Sequence, residues 1–348
     1  MQKIYQLVLL ILLKTINISL RGQDQYLPKF IWNFGLIANS NYGINKDLSS
    51  LLLDQKKLFD PQAYLNTKSG DILWVQCRML SRFYHEVLPS IKHPFILLIC
   101  HGTDTFPYEC GDNFNIENLL NHNLLIHVFA QNNAYIGPSK KISHIPIGMD
   151  FHSAAYRPGG HFGESGSPKE QEFVLNRILN NLKPTYTRKK KAFVDFQLHD
   201  TMERHFESLG ENRTTIFQQL LKTNLIDYGS QMRRSDLWKI KGEYAFSVSP
   251  HGRGLDCHRT WEDLILGCIV IVKTSPLDPL YTDLPVVIVK DWAEITSKNL
   301  DLWLKKYQDA FDNPRYKEKL TTAYWVNKME LQRISTLPTM KTTTSIEQ

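Results

Sequence analysis

Cysteine is scarce in this chain, and several familiar motifs are missing. The 348-residue sequence has five cysteines, no two spaced as CxxC, so no structural zinc site can be read from it. No HxxxH or HExxH pattern occurs, which removes the usual helical metal site. There is no GxxxxGK[ST] phosphate loop. The Gly252-Arg253-Gly254 turn carries Cys257 where a GxGxxG fingerprint needs its third glycine, which disfavours a dinucleotide dehydrogenase. No apolar run approaches the ~20 residues that cross a bilayer, so no stable membrane span is expected. Lys and Arg gather densely only at Arg188-Lys189-Lys190-Lys191, a solvated turn before a strand, so no nucleic-acid partner is expected. Repeats of solenoid type are absent.

What is present suits a globular protein of two domains: 42% hydrophobic and 22% charged residues, with a net charge of +6. Lys3 followed by the mostly apolar Ile4 to Leu13 reads as a secretion signal, residues 1–22. It predicts a mature protein in the secretory pathway (ER or Golgi lumen) or outside the cell. In that oxidising setting Cys100 and Cys110 can pair across a loop, with Cys77 a further partner. Cys257 and Cys268 read as buried small hydrophobes, and Asn212-Arg213-Thr214 is a usable glycosylation sequon.

Short apolar runs alternate with helical patterns along the chain. "DILWVQ" (71–76), "PFILLIC" (94–100), "LLIHVFAQN" (124–132) and "KISHIPIGM" (141–149) read as strands of a first half. Helices are expected at 78–91 and 116–120. A Gly- and Ser-rich connection (157–167) and a helix (170–182) precede a second series. Its strands are "KAFVDFQL" (191–198), "LIDYG" (225–229), "YAFSVSP" (244–250), "CIVIVK" (268–273) and "LPVVIVK" (284–290). Helices are expected at 213–223, 233–242 and 256–266, and a long helical region from 293 to 332 closes the chain. The pattern predicts an α/β protein with parallel sheets: an N-terminal domain (23–185), a C-terminal domain with its closing helices (186–332) and a disordered tail (333–348).

The densest chemistry lies in "SPHGRGLDCHRTWEDLILGCIVIV" (249–272), a strand, glycine turn, helix and strand in succession. A helix N-terminus beside a glycine turn at a strand's carboxyl end offers free backbone N–H groups to an anion. At about 100° per residue, Cys257, Trp261, Leu264, Ile265 and Cys268 share the face that packs on the sheet. Asp256, His258, Arg259, Glu262 and Asp263 fill the remainder, and Arg259 and Glu262 are neighbours three apart on its exposed side. His251 and His258 stand seven apart across the turn, so no metal is expected there.

The stretch "SPHGRGLDCHRTWEDLILGCIVIVKTSPLDPLY" resembles the donor-binding motif of exostosin-like glycosyltransferases, and "HGTDTFP", "FAQNN" and "IPIGMDFH" in the first half resemble segments of the same proteins. The resemblance implies a GT-B-like fold, two Rossmann-like domains facing a cleft, and transfer of a sugar from a nucleoside-diphosphate sugar to a glycan or glycoprotein. It implies that Gly252 and Gly254 form the turn against the diphosphate, that His251 and Arg259 neutralise it, and that Glu262 accepts the ribose hydroxyls. Asp263 and Val270 depart from the family pattern, where Ala and Pro are expected. Carboxylates suit vicinal diols and Arg suits phosphate oxygens. Lys273, ending the next strand, can reach the same anion. With no DxD-type metal motif in a suitable loop, leaving-group stabilisation falls to Arg259, Lys273 and the helix N-terminus, with no cofactor or metal in the chemistry. The base that deprotonates the acceptor is expected across the cleft, Asp104 first and Asp150 second. The alternatives are an inactive relative that binds glycan or nucleotide and an unrelated Rossmann protein.

Overall fold

The computed structural model describes residues 27–41, 59–156, 163–198, 212–229 and 232–336. The expected secretion signal, residues 157–162 of the glycine-rich connection and residues 337–348 of the tail lie outside the described residues.

Two parallel sheets form the frame. The first has the order β1 (Asp71–Val75), β2 (Phe95–Ile99), β3 (Leu125–Ala130), β4 (Ile142–His144). The second comprises β5 (Lys189–Val194), β6 (Ile226–Tyr228), β7 (Tyr244–Val248), β8 (Ile269–Lys273) and β9 (Val286–Val289), in the order β6-β5-β7-β8-β9. Strands such as "FILLI" are buried along their whole length, so they are apolar throughout instead of alternating. The mixed α/β class with parallel sheets is the one read from the sequence.

In chain order the α-helices used below are α1 (Asn33–Ala38), α2 (Ile116–Leu120), α3 (Phe151–Tyr156), α4 (Pro168–Leu179), α5 (Arg213–Leu221), α6 (Arg234–Lys241), α7 (His258–Ile265), α8 (Ser297–Lys306), α9 (Pro314–Lys319) and α10 (Thr322–Thr336). Local chemistry sets many of their ends. Ser167 and Glu170 close a capping box at α4 with Pro168 in its first turn. Asn212 accepts from Thr215 N at the start of α5.

Three expectations change. The helix expected at 78–91 is a succession of short 3-10, α and π turns ending around Pro89, which has no N–H to continue a helix. The closing helical region is broken after Lys306, at Asn313-Pro314 and at Leu320-Thr321, and its last piece runs to Thr336, into the start of the stretch expected as a disordered tail, and crosses back to the first half. There α10 packs on α1 and β3, and Thr322 N donates to Lys29 O at 3.0 Å. Third, Cys77, not Cys100, pairs with Cys110, with Cα atoms 4.4 Å apart. The reason is sidedness. Cys77 and Cys110 share a core with Leu73, Val75, Leu97 and Ile99, whereas Cys100 lies with Trp74, Ile96 and Leu98 in the core on the sheet's other face.

Candidate functional site

The second sheet has the order 2-1-3-4-5 when its strands are numbered locally, so its chain direction switches between β5 and β7. In open α/β sheets that switch point opens a crevice at the strands' carboxyl ends. Asp195 follows β5 there and Ser249 follows β7. Arg259, in the first turn of α7, bridges them: Nε lies 2.7 Å from Asp195 Oδ1, and Nη1 donates to Ser249 Oγ at 3.4 Å. Its guanidinium also lies over the Phe196 ring, 5.7 Å from the centroid. The residue before α7, Cys257, is extended and supplies no side-chain cap, which leaves the first N–H groups of the helix without one.

Arg259 and Glu262 do not pair with one another on an exposed face, as their spacing predicted. Glu262 is buried, its Oε1 against Arg234 Nη2 and its Oε2 accepting from Trp238 Nε1 at 3.3 Å, both from α6. Arg234 also donates to the Asp150 carbonyl and, at 2.8 Å, to Gln171 Oε1. The remaining polar face of α7 is covered too. Asp263, one of the departures from the family pattern, is wholly buried against Lys241 Nζ at 2.5 Å, and Lys241 reaches Asp195 Oδ2 at 2.8 Å. Burial, opposed by Lys241 and reinforced by Asp195, pushes the Asp263 carboxyl up to about 6. Burial alone would raise Asp195 as well, yet Lys241 and Arg259 hold it below the usual carboxylate range. Two carboxylates thus share two cations beneath the crevice.

The glycine turn is packed against the first half. A Cβ on Gly254 would lie 2.6 Å from Asn132 Nδ2 and 2.7 Å from Thr103 O, so only glycine fits this approach. On Gly252 it would meet Cys257 Sγ at 3.0 Å and Arg213 Nη2 at 3.1 Å. His251 is buried and its Nδ1 donates to Leu255 O at 2.9 Å, while His251 O accepts from Arg213 Nε at 3.0 Å. Asp256, expected on the polar side, is instead a buried link between the halves. It accepts from Ile147 N at 2.8 Å and from Trp261 Nε1, and its N donates to Asn132 Oδ1 at 2.7 Å. Of the two cysteines expected to be buried, Cys268 is, with its thiol pushed up to about 12 by burial, whereas Cys257 is half-exposed.

Lys273 ends β8 opposite Val289, and its charge adds a minor share to the lowering of the Asp291 carboxyl, which comes first from the Ala293 N–H and then from Gln219. Asp104, in the loop after β2, is next to Thr103, whose carbonyl touches the glycine turn. Both its oxygens are held at 2.9 Å by Arg78 Nε. Asp150 sits at the seam with Oδ1 3.0 Å from His152 Nδ1 and accepting from Ser153 N. Burial would raise its carboxyl, but His258, His152 and Arg234 hold it far below the usual range, a poor setting for a base. Among the described residues, Asp150, His152 and His258 also form one group with the composition of a metal site.

The structure therefore places Arg259 between the ends of β5 and β7, Glu262 against α6, and His251, Gly252 and Gly254 in the turn before α7, with Asp104 beside the Thr103 carbonyl that faces Gly254. Sequence reasoning missed Asp195, Arg213, Arg234 and Lys241. Each is a charged residue at a strand or helix end, a signal that many surface residues share.

No protein-family model matches this chain, and no curated protein matches it. Solved structures that it resembles include the N-terminal domain of Candida albicans trehalose-6-phosphate phosphatase, at 14% identity over 84% of this chain and 76% of that one, with a TM-score of 0.41. An E. coli structure described as trehalose-6-phosphate bound with UDP-2-fluoro glucose aligns at 12% identity over 91% of each chain, with a TM-score of 0.39. The catalytic domain of starch synthase IV from Arabidopsis thaliana, bound to ADP and acarbose, aligns at 13% identity over 83% of this chain and 75% of that one, with a TM-score of 0.31.

Proposed function

We propose that the protein is a glycosyltransferase of the secretory pathway that moves a hexosyl or pentosyl group from a nucleoside-diphosphate sugar to a glycan or glycoprotein hydroxyl. The observation that carries this is Arg259 at the switch point, between the ends of β5 and β7 and beside the uncapped start of α7. A fixed guanidinium beside a helix start without a side-chain cap suits a diphosphate whose charge grows as the sugar leaves. In this reading Gly252 and His251 line the diphosphate, Lys273 adds charge from β8, and Gly254 lets the first half close over the donor. Arg234 and Trp238 engage one lone pair on each Glu262 oxygen, which leaves acceptor capacity for a ribose diol. Asp104 is the base, released from Arg78 when the acceptor binds, and no step runs through a metal.

A nucleotide-binding relative without transferase activity is the second reading. It is favoured by the Arg78 guanidinium, which occupies both oxygens of Asp104.

Thermal unfolding with UDP, GDP and ADP tests donor binding. One of them at about 100 times its Kd should stabilise the fold by about 2.7 kcal/mol. Arg259→Ala should remove the shift. A protein that no nucleoside diphosphate stabilises would end the donor-site reading. Asp104→Asn should keep the shift and lose sugar transfer or donor hydrolysis, and full activity in that variant would move the base elsewhere.

A further inference from the structure

We propose that Asp150, His152 and His258 form a binding site for one divalent transition-metal cation of the zinc type, which ties the two halves together at their seam. The three residues come from distant parts of the chain. Asp150 and His152 stand at the start of α3, after the first sheet, and His258 opens α7 in the second half. One ligand atom from each lies within 4.8 Å of the others. Two imidazoles and a carboxylate are a donor set that zinc takes with an open fourth position.

Two further features favour a cation. His258 Nδ1 lies 2.7 Å from the Gly148 carbonyl. A carbonyl only accepts, so Nδ1 carries the proton and the Nε2 lone pair is left for a ligand bond. This is the outer hydrogen bond that orients metal-bound histidines. Second, Arg234 is directed to the backbone carbonyl of Asp150, not to its carboxylate. The carboxylate has His152 Nδ1 at 3.0 Å and accepts from the N–H of Ser153, and the charges of His258 and Arg234 also act on it.

The geometry needs little adjustment. Zinc–nitrogen bonds of ~2.0 Å set a tetrahedral edge of roughly 3.3 Å. The Asp150–His152 edge is already that short, so closure asks His258 to approach by at most about 1.5 Å, within reach of side-chain rotation. The chain spacing explains why the sequence hid the site. His258 was weighed against His251, its neighbour across the glycine turn, which instead donates to Leu255 O.

His258 also opens the helix whose start the donor reading uses, so the test is made without nucleotide and reads zinc alone. The full-length protein, stripped with chelator, is dialysed against micromolar ZnCl2 and its zinc content measured. Parallel melts are run with ZnCl2 and with MgCl2. One zinc per chain and a rise of a few degrees in Tm with zinc but not magnesium are expected. His152→Gln and His258→Gln should each weaken zinc binding at least tenfold. Cobalt(II) loaded in place of zinc should show d–d bands without a thiolate charge-transfer band, which separates this site from Cys257. Absence of bound zinc in the wild type, or wild-type zinc affinity in both folded variants, would overturn the proposal. If one histidine variant fails to fold, Asp150→Asn, which keeps an acceptor for Ser153 N, decides the matter by the same zinc measurement.

Discussion

The Arg259 guanidinium meets the Asp195 carboxylate at 2.7 Å, which ties the first turn of α7 to the end of β5. A pair exposed on one helix, as Arg259 and Glu262 would have been, contributes a few tenths of a kcal/mol. A buried pair behaves differently, because removing one partner leaves a charge without water or counterion. Asp195, Lys241, Asp263 and Arg259 are linked in this way, so the Arg259 guanidinium is held in place from behind.

The same logic separates two pairs by double-mutant cycle. Arg234→Ala with Glu262→Gln should show a coupling of about 2 kcal/mol or more in urea unfolding, since the pair is buried. Arg259→Ala with Glu262→Gln should couple by less than about 0.5 kcal/mol. Equal couplings would mean that the helix faces have been misassigned.

Gly254→Ala should destabilise more than Gly252→Ala. At 254 the added methyl meets a backbone carbonyl at 2.7 Å and an asparagine amide at 2.6 Å across the seam. At 252 its nearest neighbours are side-chain atoms at 3.0 and 3.1 Å that can shift. The expected costs are about 2–3 kcal/mol against about 1 kcal/mol or less, read from the unfolding midpoints. The reverse order would contradict the contact between the halves.

Non-reducing peptide mapping should recover a peptide joining Cys77 to Cys110, with Cys100 as a free thiol. The bond closes a loop across 33 residues of sequence, worth about 3–4 kcal/mol in the chain-entropy account. Cys77→Ala with Cys110→Ala should lose that amount in denaturant titrations. Cys100→Ala should leave the disulfide in place, and recovery of a Cys100–Cys110 peptide would refute the pairing.

Burial pushes the Asp256 carboxyl up to about 6, against an ordinary value near 3.8, despite the bonds it accepts from Ile147 N and Trp261 Nε1. Between about pH 4 and pH 6 the native state keeps a proton that the unfolded chain has released. This group's contribution to stability therefore falls as pH rises through that window and is flat above it. At ~1.4 kcal/mol per unit the fall is at most about 3 kcal/mol. Asp256→Asn should remove it, so the stability of the variant relative to wild type should rise between pH 4 and pH 6. Parallel curves for the two proteins across that range would show that Asp256 titrates normally.

Strand periodicity was readable residue by residue. The apolar runs at 71–76, 94–100 and 268–273 became β1, β2 and β8 because burial on both faces demands uninterrupted apolar side chains. The glycine turn and the helix after it were legible for the same local reason. Two glycines and a break in apolar periodicity can be seen without knowing what lies nearby.

Partnership was not legible. Sequence spacing by itself made Arg259 and Glu262 neighbours, made Cys100 the partner of Cys110, and separated His258 from Asp150 and His152 by more than a hundred positions. The tertiary structure assigned Arg259 to Asp195, Glu262 to Arg234 and Cys77 to Cys110. The physical reason is that local pattern decides which way a side chain faces along its own element. What waits there depends on strand order, on which face of the sheet a residue occupies, and on how the two halves meet. Those are set by burial of the whole chain, and they decide which charges lose their water and must find one another.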